Sequence, residues 1–305
     1  MEHCYDLIII GSGPAGLAAA IYAQRARLDT LIIEKAMVSG GQVLTTYEVD
    51  NYPGLPGLGG FDLGLKLREH ADRLGAVFAE GQVVSVMDKG EIKEIITEKE
   101  SYRSKTLIIA TGAVHRKLGI PGEEEFAGKG VSYCATCDGA FFRNKTVAVI
   151  GGGDVAAEDA IFLARMCSKV YLIHRRDELR AAKSLQETLF SLENVEILWD
   201  TVAEQINGNE TVSSLKISNV RTQETGELEL QGVFIAVGIT PESQIFDGLV
   251  EMEHGYIRAN EDGITSAPGI FAAGDVRTKA LRQIITAASD GANAVASAER
   301  YLSAH

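Results

Sequence analysis

Leu7-Ile8-Ile9-Ile10-Gly11-Ser12-Gly13-Pro14-Ala15-Gly16 is an apolar strand running straight into a G-x-G-x-x-G turn. A helix-like segment follows from Leu17 to Arg27, and the apolar run Leu31-Ile32-Ile33 then ends in Glu34. Strand, glycine turn, helix, strand and acid in this order form the frame that binds a dinucleotide. The glycines allow a tight turn and close backbone approach, and the free N–H groups of the helix start face a pyrophosphate. Glu34, 23 positions beyond Gly11, is placed to accept from both hydroxyls of a ribose. A bare glycine motif says little; inside this frame it is specific.

The frame occurs twice. Val147-Ala148-Val149-Ile150 leads into Gly151-Gly152-Gly153-Asp154, a helix to Met166, and the run Val170-Tyr171-Leu172-Ile173. His174 then stands 23 positions beyond Gly151, in the place of Glu34, followed by Arg175, Arg176 and Arg180. Guanidinium forks suit a 2′-phosphate, whereas a carboxylate suits free hydroxyls. Two copies of one spacing with opposite charge imply two different cofactors, one of them a phosphorylated NAD. Its expected ligands are Gly151, Gly153, Asp154, His174, Arg175, Arg176 and Arg180; the competing reading is a basic surface cluster after a strand.

Between the two loops lies Cys134-Ala135-Thr136-Cys137-Asp138. Thiols three apart can cycle between dithiol and disulfide, and an adjacent carboxyl can move the proton. Zinc would need two further ligands, and neither Cys4 nor Cys167 has a histidine at ligand spacing, so no metal is expected. Cys4 and Cys167 read as small core residues. Nicotinamide gives a hydride and a dithiol takes two electrons; a flavin joins the two chemistries, which makes the first site one for FAD.

Between these motifs the chain is less explicit. Gln42 and Asn51 lie in a Gly- and Pro-rich loop that reads equally as a surface connection or as a wall of the first cofactor site. Phe61 to Leu74 has helical spacing, and Val77 to Thr97, with a turn at Lys89-Gly90, reads as antiparallel strands. The acidic run Glu123 to Glu125 reads as a solvated face. Leu107-Ile108-Ile109-Ala110-Thr111-Gly112 and Val233 to Gly238 are apolar strands ending in small residues. After Thr240-Pro241 the tail resumes with Ile270-Phe271-Ala272-Ala273-Gly274-Asp275, then Arg282-Gln283 and an Ala-rich helix. A tail that resumes after a complete second unit implies insertion. The expected fold is α/β, with two Rossmann-like dinucleotide-binding domains, the second inserted in the first. Residues 1–113 plus 243–305 form a discontinuous FAD-binding domain, and 114–242 form an NADPH-binding domain carrying the CxxC pair.

Bulk composition limits the function classes. A net charge of −13 over 305 residues disfavours nucleic acid and anionic membranes as partners. No apolar run approaches the ~18 residues of a membrane span, and the first residues lack a basic leader. With four cysteines, a reducing cytoplasmic setting is expected, in which CxxC is catalytic rather than structural.

Cys134-Ala135-Thr136-Cys137-Asp138-Gly139, the two glycine loops, His174-Arg175-Arg176, Gly274-Asp275 and Arg282-Gln283 together resemble the bacterial low-molecular-weight thioredoxin reductases, in the same order over nearly the whole chain. The resemblance implies a cytoplasmic homodimer that passes electrons from NADPH through FAD to the Cys134/Cys137 disulfide and on to thioredoxin or a thioredoxin-like protein. It implies that Cys137 lies beside the flavin, that Cys134 attacks thioredoxin, and that Asp138 is the acid. It assigns FAD to Gly11, Gly13, Pro14, Ala15, Gly16, Glu34, Gln42, Asn51, Thr111, Gly112, Gly274, Asp275, Arg282 and Gln283. It further implies that the insert swings about joints near Gly112-Ala113 and Thr240-Pro241. Phe141 and Phe142 read equally as a landing site for a protein and as core. Val155 stands where many members carry Ser or Thr, which removes a hydroxyl from the NADPH site. Two other functions use the same motifs: a flavin dithiol oxidase, which the NADPH site argues against, and a redox sensor without turnover.

Overall fold

Strands that alternate apolar residues on both faces need cover on both sides, and the chain supplies it by following strands with helices. The computed structural model describes residues 3–46, 49 and 51–304. Met1, Glu2, Tyr47, Glu48, Asp50 and His305 lie outside the described residues, including two positions of the Gly- and Pro-rich loop. By contacts the chain divides into two units. One is Met1–Leu44, Tyr52–Val114 and Thr240–His305; the other is Thr45–Asn51 and His115–Ile239.

The first unit begins with β1 (Cys4–Ile10), α1 (Pro14–Arg25) and β2 (Thr30–Glu34), and continues with α2 (Gly60–Arg73), β3 (Val77–Glu80), β4 (Val83–Asp88), β5 (Lys93–Thr97) and β6 (Ser101–Ile109). The chain leaves along β7 (Ala113–His115). The second unit holds β8 (Val131–Ser132), α3 (Ala135–Asp138), β9 (Thr146–Gly151), α4 (Asp154–Ala164), β10 (Lys169–Ile173) and α5 (Lys183–Phe190). It continues with β11 (Val195–Leu198), β12 (Thr201–Gly208), β13 (Val212–Asn219), β14 (Thr225–Glu229) and β15 (Gly232–Ala236). The chain returns along β16 (Ile239–Pro241), which pairs with β7, and closes with β17 (Met252–Glu253), β18 (Tyr256–Ile257), β19 (Ile270–Ala272) and α6 (Ile284–Ala304).

In the first unit the strand order is β3-β2-β1-β6-β5-β4, with β19 pairing the far half of β6. Leu7 and Ile9 point to one face and pack with Leu17, Ala19, Ala294 and Ala298 of α1 and α6. Ile8 and Ile10 point to the other and pack with Phe246, Val250 and Ile257. Each such isoleucine buried is worth about 1.5–3 kcal/mol. The alanines of α1 and α6 let the two helices close tightly, and a Cβ at Gly291 would come within 2.9 Å of the Ala19 nitrogen. In the second unit the order is β11-β10-β9-β15-β8, and β12-β13-β14 form a separate antiparallel sheet.

One element differs from the sequence reading. The stretch from Val77 is not part of an antiparallel set: β3 pairs parallel to β2, with Leu31 opposite Val77. It follows α2, and a strand that returns after a crossover helix enters its sheet parallel. Only β4 and β5 form the hairpin around Lys89-Gly90.

Candidate active site

β8 is an edge strand of the second sheet and delivers Ser132, Tyr133 and Cys134 in succession. Cys134 has extended backbone and precedes the single turn of α3, whose Cys137 and Asp138 N–H groups donate to the Cys134 carbonyl at 3.2 and 3.1 Å. That turn brings the two Cα atoms to 5.3 Å, and Cys134 and Cys137 form a disulfide. Both cysteines are half-buried, and Thr136 between them is exposed. The turn rests on α4 through Gly139, where a Cβ would meet Phe162 at 3.0 Å and Leu163 at 3.1 Å.

The Asp138 carboxyl lies behind this turn. Its Oδ2 accepts from the Ser132 hydroxyl at 2.6 Å, while Oδ1 is buried and has no partner among the described residues. Burial pushes this carboxyl up from its ordinary range, opposed in part by the Ser132 hydrogen bond. A carboxyl raised in this way, next in sequence to a thiol pair, can serve as a proton donor to a leaving thiolate. Cys167 is buried, its thiol directed at the Phe142 carbonyl and pushed by burial to about 11; Cys4 is half-buried at the start of β1. Neither joins the disulfide. Among the described residues no three of His, Cys, Asp and Glu gather as a metal site requires.

The acidic run before the pair is not wholly a solvated face. Glu124 and Glu125 are exposed, but Glu123 is only 1% exposed. Its carboxylate accepts from the Leu118 and Gly119 N–H groups at 3.0 and 2.7 Å and from the Tyr133 hydroxyl at 2.7 Å. Three donors offset the cost of burying that charge. Charge runs in sequence do not distinguish a residue whose donors come from a turn around it.

In the first unit four strand ends converge. Gly11 follows β1, Glu34 ends β2, Ala110 follows β6, and Gly274 comes after β19. Gly11 has φ +100°, and a Cβ there would lie 2.5 Å from the Ala110 carbonyl oxygen. Pro14, Ala15 and Gly16 form the first turn of α1; Gly274 backs onto Ala15, 2.9 Å from its Cβ if it carried one. Gly40 donates to the Ser12 carbonyl at 2.9 Å, which sets Gly41 beside Gly13, and Gln42 follows it, exposed. Glu34 is already engaged: Oε2 accepts from the Ser12 N–H and hydroxyl, both at 2.7 Å, and Oε1 from the Ala36 N–H at 2.9 Å. The Thr111 hydroxyl donates to the Glu242 carbonyl at 2.6 Å. Asn51 is exposed, in the segment that groups with the second unit.

Two buried polar groups lie between β19 and α6. Asp275 Oδ1 and Arg282 Nε have no hydrogen-bond partner among the described residues. Burial also raises the Asp275 carboxyl. The Arg282 guanidinium lies 4.3 Å from the Tyr256 ring centre, and Gln283 precedes α6. Buried unsatisfied atoms beside a glycine turn fit a polar ligand such as a dinucleotide. Sequence reading missed the group that braces the turn before α6. Asp290 on α6 accepts from the Gly274 N–H at 2.9 Å, from Arg277 at 3.0 and 2.9 Å, and from Lys279 at 2.8 Å. No local motif marks it, because its partners come from the preceding turn.

The second loop repeats the first at the level of register. Ile10 pairs with Ile33 before Gly11, and Ile150 pairs with Ile173 before Gly151. His174 and Glu34 therefore hold the same place, and each secures the second residue of its loop. Glu34 bonds Ser12; the His174 ring packs against Gly152, where no Cβ fits. His174 is buried, and burial with the Arg180 and Arg176 charges holds it below the ordinary histidine range. Asp154 is spent on the Ala182 N–H at 2.7 Å, and the Arg180 N–H donates to the Gly152 carbonyl at 2.7 Å. Arg175, Arg176 and Arg180 are exposed, with no carboxylate partner among the described residues. A Cβ at Gly153 would meet nothing within 4 Å. An open loop flanked by three unpaired guanidinium groups fits a phosphorylated nucleotide.

A model of the pyridine nucleotide-disulphide oxidoreductase family matches residues 5–291. The chain is similar to the thioredoxin reductase of Listeria innocua, 47% identical over 99% of this chain and 95% of that protein. It is similar also to that of Bacillus subtilis, 45% identical over 99% and 96%. The crystal structure of thioredoxin reductase from Streptococcus pyogenes matches 100% of both chains at 45% identity, with a TM-score of 0.96.

Proposed function

The chain belongs to the pyridine nucleotide-disulphide oxidoreductase family, among its thioredoxin reductases, and from that premise we propose the roles of its residues. It is an NADPH-dependent flavoprotein that reduces thioredoxin through the Cys134–Cys137 disulfide. The observation that carries the residue assignment is that disulfide itself, with Asp138 held behind it on the unit that also bears the arginine-flanked loop.

FAD would be held by the Gly11–Gly16 turn, Glu34, Gln42, Asn51, Thr111, Gly112, Gly274, Asp275, Arg282 and Gln283. NADPH would be held by Gly151, Gly153 and Asp154, His174, Arg175, Arg176 and Arg180. When bound, the two cofactors would supply the hydride and the two electrons that the disulfide takes up. The protein's part begins when the Cys134–Cys137 bond breaks. One sulfur leaves as thiolate and the other takes a proton from Asp138. The Cys134 thiolate attacks a thioredoxin sulfur, forming a mixed disulfide and releasing the other thioredoxin sulfur as thiolate. Cys137 then attacks Cys134, the mixed disulfide breaks, and the pair is restored. The Cys137 thiol returns its proton to Asp138, and the departing thioredoxin sulfurs take theirs from solvent.

The assigned domains are 1–113 with 243–305 for FAD and 114–242 for NADPH and the cysteines, with joints at the two crossings. The protein works as a homodimer in the cytoplasm; no described helix is long and apolar enough to cross a membrane. Cys134→Ser or Cys137→Ser is expected to abolish NADPH-driven reduction of thioredoxin while bound FAD remains. Wild-type turnover in either variant would refute the assignment.

A further inference from the structure

Ser132 is the residue of this site that no motif announces. It is 5% exposed and sits two positions before Cys134, at the end of β8. Its hydroxyl makes two contacts that bear on the chemistry. It accepts from the Cys134 N–H at 3.0 Å and donates to Asp138 Oδ2 at 2.6 Å. The Cys134 carbonyl lies 3.3 Å from the same hydroxyl, a weaker alternative acceptor. One O–H can serve a single acceptor well, and the shorter contact is to the carboxylate.

We propose that Ser132 is a positioning residue of the dithiol site, whose hydroxyl ties the Asp138 carboxyl to the Cys134 backbone and steadies the charged form of that acid. Without this bond Asp138 would have neither carboxyl oxygen paired within the described residues, since Oδ1 already has no partner. A donor to a buried carboxylate lowers its pKa, and burial raises it. Ser132 supplies the lowering at Asp138. It thereby limits how strongly the acid clings to its proton, while fixing the carboxyl behind the cysteines.

The other ionisable groups facing Asp138 are few. On its own turn stand the two cysteines, and Tyr133 precedes them with its hydroxyl committed to Glu123. Beyond the 3-10 turn Gly139–Phe142, Lys145 lies over the Phe142 ring at 5.4 Å. From α4, Asp159 shares the face of Phe162, Leu163 and Met166, the residues that meet Gly139, one turn nearer the helix start; Glu158 beside it is exposed. Asp159 is a second raised carboxyl, pushed up to about 7 by burial. The test must separate it from Asp138.

The inference rests on Asp138 being the proton donor of the site. The experiment is the pH profile of turnover with NADPH and thioredoxin, read beside the infrared signal of the protonated carboxyl in the oxidised protein. Activity carried by a protonated acid falls as pH rises through its pKa. In Ser132→Ala that fall and the infrared midpoint should both move up by about one pH unit. Ser132→Thr, which keeps the hydroxyl, should stay at the wild-type midpoint. Ser132→Cys, with a weaker donor, should move in the same direction by less, and carries the test should the alanine variant not fold. On an Asp138→Asn background, Ser132→Ala should add no shift.

An unmoved midpoint in both Ser132→Ala and Ser132→Cys overturns the inference alone. A fall that survives in Asp138→Asn and vanishes in Asp159→Asn overturns it together with the reading of Asp138.

Discussion

A carboxyl that leaves water without gaining a partner holds its proton to higher pH, and Asp159 is such a group. It has no hydrogen bond or ion pair among the described residues, and burial, with the Glu158 charge, pushes it up to about 7. Unfolded, it would titrate near 4. Between those values the native chain holds a proton that the unfolded chain has lost, so stability falls as pH rises, and the penalty is complete above pH 7. Asp159→Asn should therefore stabilise the protein by about 1–2 kcal/mol more at pH 8 than at pH 5. Equal effects at the two pH values, measured by thermal unfolding, would contradict this. Residues of this kind are hidden from a sequence reader. Cys134, Cys137 and Asp138 are legible because spacing and residue type carry their chemistry. Ser132, Glu123 and Asp159 owe their roles to burial and to donors or neighbours that only the fold brings near.

At the scale of elements the two strand–loop–helix units are one design with two endings. Their register is the same, and the residue that closes the second strand secures the second residue of each loop. The endings differ in charge, and the expected consequences differ with them. Gly11→Ala forces a side chain into a left-handed conformation against the Ala110 carbonyl. It should lose bound flavin while the protein still binds NADPH. Gly152→Ala drives a methyl into the His174 ring. It should keep its flavin and raise the KM for NADPH. Loss of flavin from the second variant would contradict the separate duties of the loops. Replacing Arg175 and Arg176 by alanine should lower kcat/KM for NADPH by about tenfold or more per arginine while leaving NADH nearly untouched. Unchanged relative kcat/KM would refute the phosphate reading. These loops were legible because glycine spacing, strand periodicity and charge agree in both copies. β3 was not, since its parallel partner is set by the α2 crossover and not by its own residues.

For the whole molecule, insertion of one unit within another follows from the tail: β19 completes the first sheet on β6 only after the second unit is finished. That was legible, because the tail carries its own strand and helix pattern. The buried support around Asp290 was not, because its partners are polar residues with no periodicity. Two electrons follow a single path, from NADPH through the flavin to Cys134–Cys137 and out to thioredoxin. The most direct measurement is the visible spectrum of the purified protein during anaerobic addition of NADPH, followed by oxidised thioredoxin. The flavin bands should bleach with NADPH and return with thioredoxin in the absence of oxygen. Bands that return only when oxygen is admitted, or a flavin indifferent to NADPH, would contradict this path.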